Sequence, residues 1–269
     1  MIRVHRGQEP STLAARRDAE IERVAHALEQ GIPLSNDLIG DMYRVAKDRL
    51  CEDQAGKCAY CEKPLYEPPY NPVEHFRPKA SARQGDVFMA GYWWLSWTWQ
   101  NLLFACPICN SSYKRDWFPL ADGSVRLAAR ALPPGQERPL LIDPGGEDPM
   151  DHIQFRPHDD SNGRRTWRPV PRNGSKRGEE TIEKIGLDRD DLLGAYTQHV
   201  NDHVLPVVEE LRQFEQRPAR FAGRWNRSVL PLVQRGRPFA ALTWDAFDHD
   251  YSEPRREELA VALPRPWPG

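Results

Sequence analysis

No apolar run in the 269-residue sequence approaches the ~18 residues that a membrane-spanning helix needs, so no membrane partner is expected. The opening Met1-Ile2-Arg3-Val4-His5-Arg6 is polar and lacks the apolar core of a secretory leader. A cytoplasmic location is expected on that ground. Charge of either sign is in little excess, with a formal net charge of −2. That balance does not advertise a nucleic-acid partner, although a global sum can conceal a basic face. Internal repeats and sustained low-complexity segments are absent as well. With 39% apolar and 28% charged residues, the chain suits one large domain or a small catalytic module with helical flanks.

Proline, by contrast, is abundant: 25 residues, clustered at 64–78, 133–149, 157–171 and 254–268. Each fixes φ and removes an N–H donor, which predicts a loop-rich protein with few long elements. Helical periodicity is confined to the two ends. Residues 11–30 predict a helix with Leu13, Ile21, Val24 and Leu28 near one face, closed by Gly31 and Pro33. A second helix is expected from Ser35 to Leu50, burying Leu38, Met42, Val45 and Leu50. The period returns at Gly178, with Ile182 and Ile185 on one face. Asp188 and Asp191 then offer a cap and first-turn charge to a longer helix. That helix should bury Leu192, Tyr196, Val200, Val204, Val207 and Leu211, with a kink at Pro206; the tail after Pro254 should be extended.

The middle of the chain differs. Residues 51–120 suit two short strands and a helix beginning near Asn110, and 121–177 hold possible strands at 138–143 and 152–156. The expected fold class is therefore α+β, in four regions: a helical 1–50, a compact 51–120, a Pro/Arg-rich 121–177 and a helical 178–269.

Four of the five cysteines form two matched pairs, Cys58-Ala-Tyr-Cys61 and Cys106-Pro-Ile-Cys109. Without an export signal, such pairs read as a metal site rather than as disulfides. Two Cys-x2-Cys knuckles can close a tetrahedral shell around one Zn²⁺, leaving no position for substrate, so the expected zinc is structural. The remaining Cys51, at a helix end, should be a small buried residue.

A second pattern overlies the knuckles. Glu74-His75 stands in the run Asn71-Pro72-Val73-Glu74-His75-Phe76-Arg77-Pro78-Lys79, Asn101-Leu102 precedes the second knuckle, and Asn110 follows Cys109 directly. Singly, these residues have ordinary readings as a satisfied histidine, a surface carboxylate and turn or cap amides. Jointly the arrangement resembles the HNH endonuclease family, in its branch with a four-cysteine zinc site. There an acidic residue plus His follows the first CxxC, Asn-Leu precedes the second, and a Lys comes soon after, here Lys114. Glu74 departs from the commoner Asp, and Asn110 from the name-giving second His; both still offer oxygen to a hard cation.

The resemblance covers about residues 51–120 and implies a ββα-metal module braced by zinc, hydrolysing DNA phosphodiester bonds. His75 would take the proton from water. Asn101 would hold the imidazole by hydrogen bonding. Glu74 and Asn110 would ligate one Mg²⁺ or Mn²⁺, and Lys114 and Arg115 would contact phosphates.

The stretch Gly91-Tyr92-Trp93-Trp94-Leu95-Ser96-Trp97-Thr98-Trp99 could stack bases, but a small metal-braced module needs large side chains for its core, and that reading is preferred. With Leu140-Leu141-Ile142-Asp143-Pro144 and Glu147-Asp148-Pro149…His152, the longer pattern resembles the HNH subunit of Septu-type and retron-associated antiphage systems. That likeness implies an ATPase partner and a role in defence. Asp143, Asp148 and His152 read as turn and strand-end residues. Arg164, Arg165, Arg168, Arg172, Lys176 and Arg177 could follow a nucleic-acid backbone or form a solvated loop. A non-catalytic zinc-braced binding module and an RNA-cleaving toxin remain alternatives. Double-strand cleavage by one active centre would need a homo-oligomer or two successive cuts.

Overall fold

The computed structural model describes residues 1–65, 72–159, 163 and 165–266. Asn71, Arg164 and the last residues of the tail, all named above, lie outside them. The chain forms two compact units. One joins Val4–Ala59 to Pro64–Glu147; the other joins Asp148–Gly269 to Met1–Arg3 and Tyr60–Lys63. The architecture is mixed α+β, with helices and small two-stranded antiparallel sheets.

In the first unit, α1 (Ser11–Glu29) begins after Pro10 and buries Leu13, Val24 and Ala25. It stops where Gly31 takes φ +80°, a conformation open to glycine without strain. The expected second helix is broken into three pieces: α2 (Asn36–Ile39), a 3-10 turn (Met42–Ala46) and α3 (Lys47–Asp53). Gly40, with φ +73° and ψ −160°, makes the break. The resulting change of direction buries Ile39, Met42, Tyr43 and Leu50 but leaves Val45 exposed.

The two short strands expected in the middle region are β1 (Val73–His75) and, after β2 (Ser81–Gln84) and β3 (Val87–Ala90), β4 (Leu102–Phe104). β1 pairs with β4 in the register Val73↔Phe104 to His75↔Leu102. β2 and β3 form a hairpin that periodicity did not announce. The helical turn after β4 starts at Ile108 and is π-helical through Lys114. Between the hairpin and β4 the aromatic stretch coils into short 3-10 turns. Tyr92, Trp93, Trp94, Trp97 and Trp99 are all buried there. Tyr92 and Phe76 each meet Phe118 edge-on, with ring centroids 5.2 and 5.5 Å apart. These rings are core, each worth about 1.5–3 kcal/mol of burial. No strand forms at 138–143, where Pro139 limits the pairing to a single bridge with Leu120.

In the second unit, β5 (Ile153–Asp159) pairs along its length with β6 (Arg165–Pro171). The strand expected at 152–156 is present but longer, and its partner occupies what looked like loop. α4 (Lys176–Ile185) is capped by Ser175 Oγ, which accepts from the Gly178 N–H, and ends at left-handed Gly186. α5 (Asp190–His199) runs through a π-helical turn (Val200–Val204) into α6 (Leu205–Arg212). That wider turn slips the helical phase, so Val208, rather than Val207, is the buried residue before Leu211. α7 (Pro218–Ser228) and α8 (Ala240–Asp250) follow. The first N–H groups of α8, at Ala240 and Ala241, donate to the buried Glu62 carboxylate. Pro254 does not end regular structure: it sits in the first turn of α9 (Glu253–Glu258), where its missing N–H is not needed.

Candidate metal centre and catalytic cleft

Cys58 follows α3 by a tight turn, whereas Cys106 lies between β4 and the π-helical turn and Cys109 lies in the first residues of that turn. Cys58, Cys61, Cys106 and Cys109 are buried, and their sulfurs lie within 4.8 Å of one another. Tetrahedral Zn–S bonds of about 2.3 Å set sulfurs roughly 3.8 Å apart, so zinc fits with small adjustment. An all-thiolate donor set also selects a soft or borderline ion over Mg²⁺ or Ca²⁺. Backbone N–H groups turn toward the sulfurs, Cys106 to Cys58 Sγ and Cys109 to Cys106 Sγ, each at 3.3 Å. The buried Gln54 ties the first knuckle to β4: its Nε2 donates to the carbonyls of Lys57 (2.9 Å) and Phe104 (2.6 Å), and its Oε1 accepts from the Phe104 N–H. Cys51 stands apart from this group and is half-buried rather than buried. Burial, then Asp48 and Glu52, push its thiol pKa up.

Beside the knuckles lies an open cleft of 650 Å³, lined by Glu74, His75, Asn110 and Arg115 among others. The structure thus brings four of the sequence-derived site residues together. His75 ends β1 and is buried, with its ring edge-on to Tyr43 at 4.5 Å between centroids. Its Nε2 lies 3.0 Å from the Ser96 carbonyl oxygen. A carbonyl can only accept, so Nε2 carries a proton, and in the neutral ring Nδ1 then holds the lone pair. Burial, then the nearby Lys79 cation, lowers the His75 pKa to about 3. The imidazole is therefore held neutral rather than poised near neutrality.

The ring is not held by Asn101, contrary to the sequence expectation. The Asn101 Oδ1 accepts from the Arg77 N–H (2.8 Å), and its Nδ2 donates to the carbonyls of Arg77 (3.1 Å) and Leu95 (3.2 Å). These bonds occupy the amide and fix the backbone on both sides of the ring, including the segment that presents Ser96.

Glu74 is 3% exposed, and its Oε1 lies 2.6 Å from Lys114 Nζ. Lys114 is fully buried and also donates to the His75 carbonyl at 3.0 Å. In this arrangement its ammonium answers Glu74 and the β1 backbone, not a phosphate. Arg115, the next residue, is exposed in the cleft with φ +49°. Asn110 is half-buried at the cleft wall, so the hard oxygen donors of Glu74 and Asn110 face one space. That pair suits a small divalent cation that keeps most of its waters.

The chain is similar to the Septu protein PtuB of Bacillus mycoides (strain KBAB4). The two are 35% identical over 160 residues, which is 58% of this chain and 51% of that relative. The chain thus spans about half the length of the curated relative it matches. No family model matches the sequence, and no solved structure matches it.

Sequence reading missed Tyr43, Arg44, Lys79 and Arg83, which line the same cleft. They come from three separate segments, and no spacing rule links them. Against the carboxylates of Glu74 and Asp116, the four cations Arg44, Lys79, Arg83 and Arg115 make the cleft locally basic in a chain of net charge −2. Burial, then Arg44, lowers the Lys79 pKa; its Nζ donates to Asn36 Oδ1 and lies 5.4 Å above the Tyr43 ring centroid.

Two residues of the other basic cluster are engaged within the protein. Arg165 pairs with Asp159 and Arg172 with the buried Asp245. Asp143 accepts from the Gly145 N–H, Asp148 from the Met150 N–H, and His152 Nδ1 contacts Ser175 Oγ. These are the turn and strand-end roles expected of them.

Proposed function

We propose that the chain is a metal-dependent endonuclease of the HNH type that hydrolyses DNA phosphodiester bonds. The observation that carries this reading is the placement of a neutral His75, anchored through Nε2, in a basic cleft with two hard oxygen donors. In the reaction, His75 Nδ1 accepts the proton of the attacking water. Ser96 keeps the proton on Nε2, and Asn101 keeps Ser96 in place. Lys79, Arg44 and Arg115 offset the charge of the phosphoryl oxygens. A Mg²⁺ or Mn²⁺ ion held by Glu74 and Asn110 would add charge neutralisation at the phosphate and the departing oxygen. The four cysteines would hold a structural Zn²⁺ that braces β4 and the π-helical turn. Likeness to a Septu protein supports a role in antiphage defence. The family resemblance adds an ATPase partner; the polar opening of the sequence favours a cytoplasmic location, and a single active centre would need a homo-oligomer for double-strand cuts.

The test is cleavage of supercoiled plasmid with Mg²⁺ or Mn²⁺ by wild type and by zinc-replete His75→Ala. Nicking or linearisation by wild type alone is expected. Equal cleavage by both proteins would remove His75 from the mechanism. Cleavage of RNA but not plasmid would assign the toxin alternative.

A further inference from the structure

The β2–β3 hairpin carries a large apolar side chain into the cleft. Phe88 is 62% exposed and lines the cleft with Arg83, its direct cross-strand partner. The Arg83 guanidinium lies 5.2 Å from the Phe88 ring centroid and 4.1 Å from that of Trp117. The Arg83 backbone is fixed in turn: its N–H donates to Asp116 O at 2.7 Å, and its carbonyl accepts from the Phe118 N–H at 2.9 Å. Asp116 follows Arg115, so the hairpin is bonded to the segment that carries Arg115 into the same cleft. A ring held in this way, open on one side above a basic floor, is a preformed platform for a flat partner.

We infer that Phe88 stacks on a nucleobase, so that the cleft takes an unstacked nucleotide of single-stranded or locally opened DNA in preference to intact duplex. Inside a duplex both faces of every base are covered, and no aromatic face is free to meet this ring. Phosphates of the same strand would meet Arg44, Lys79 and Arg115, and the Arg83 cation between Phe88 and Trp117 holds the ring in register with them. The inference rests on the nucleic-acid reading of the cleft.

The experiment is fluorescence anisotropy with the full-length protein in Ca²⁺, using a labelled single strand of mixed sequence and a long duplex of the same composition. Wild type should prefer the single strand. Phe88→Ala and Phe88→Leu should weaken that binding about fivefold or more, while Phe88→Trp retains it and duplex affinity stays unchanged. Tight binding by Phe88→Leu, or equal loss for both probes, would overturn stacking. Plasmid cleavage by the same preparations separates the two readings. Cleavage without a Phe88 effect removes the platform and keeps the nuclease; the Phe88 effect without cleavage does the reverse.

Discussion

Lys114 Nζ lies 2.6 Å from Glu74 Oε1 and 3.0 Å from the carbonyl oxygen of His75, so one buried ammonium joins the π-helical turn to the strand bearing both site residues. Removing one partner of a buried pair strands the other charge, at about 3–5 kcal/mol. Lys114→Met is therefore expected to lower the urea midpoint sharply in the zinc-loaded protein. A lysine serving only as a phosphate contact would leave the midpoint in place and raise KM instead.

Asn101 satisfies three buried backbone groups at once. Asn101→Ala should cost on the order of 3 kcal/mol from those unmet hydrogen bonds. It should also lower kcat more than it raises KM, because the Ser96 carbonyl loses its support and the His75 tautomer is no longer fixed. Urea titration and steady-state cleavage report the two effects separately; an unchanged kcat would show that Ser96 holds the ring unaided.

Removal of zinc should loosen the cleft. Cys109→Ser, or a strong chelator, is expected to lower Tm and abolish one equivalent of bound zinc. Zinc content by mass spectrometry beside a thermal melt checks this. Full stability at zero zinc would identify the cluster as four reduced thiols.

Gly91 has no room for a side chain, since a Cβ there would lie 2.3 Å from the Lys79 carbonyl oxygen. Gly91→Ala must displace the Lys79 backbone, which lines the cleft, and should destabilise the fold by roughly 1–3 kcal/mol. Cleavage should fall while zinc content holds. Wild-type activity and stability together would mean that the backbone absorbs the methyl group elsewhere.

A pH dependence is expected from His199. Thr243 Oγ1 donates to the Phe239 carbonyl and so accepts from His199 Nε2–H at 2.8 Å. Burial, then the His203 charge, lowers the His199 pKa from 6.5 to about 4, with Glu62 and Asp202 opposing. A base with a depressed folded pKa is protonated first in the unfolded chain. Stability is therefore whole above about 6.5 and is lost as pH falls toward about 4. Denaturant melts at several pH values should show this slope, and His199→Gln should flatten it.

The sequence announced some of this arrangement and hid the rest for identifiable reasons. The knuckles were legible because Cys-x2-Cys is local and chemically exclusive. Glu74, His75 and Asn110 followed from their position beside the knuckles. Lys114 was found but given the wrong partner, since sequence cannot show that a lysine near a phosphate-binding motif turns inward. The anchor of His75 is a backbone carbonyl, invisible in any residue pattern. Arg44, Lys79 and Arg83 come from separate segments and meet in the cleft only through the tertiary fold. The continuous helix expected over 35–50 is interrupted at Gly40, whose positive φ no apolar spacing reveals.

The π-helical turn at Val200–Val204 has a consequence for comparing relatives. A turn that takes about one extra residue is, in alignment terms, an insertion hidden inside a continuous helix. Relatives with an ordinary helix here should be one residue shorter between Tyr196 and Val208, and the gap belongs among the exposed Asn201, Asp202 and His203. An alignment that leaves the gap out would match buried positions such as Val208 and Leu211 to exposed ones, and would misassign the C-terminal core of any relative with an ordinary helix there.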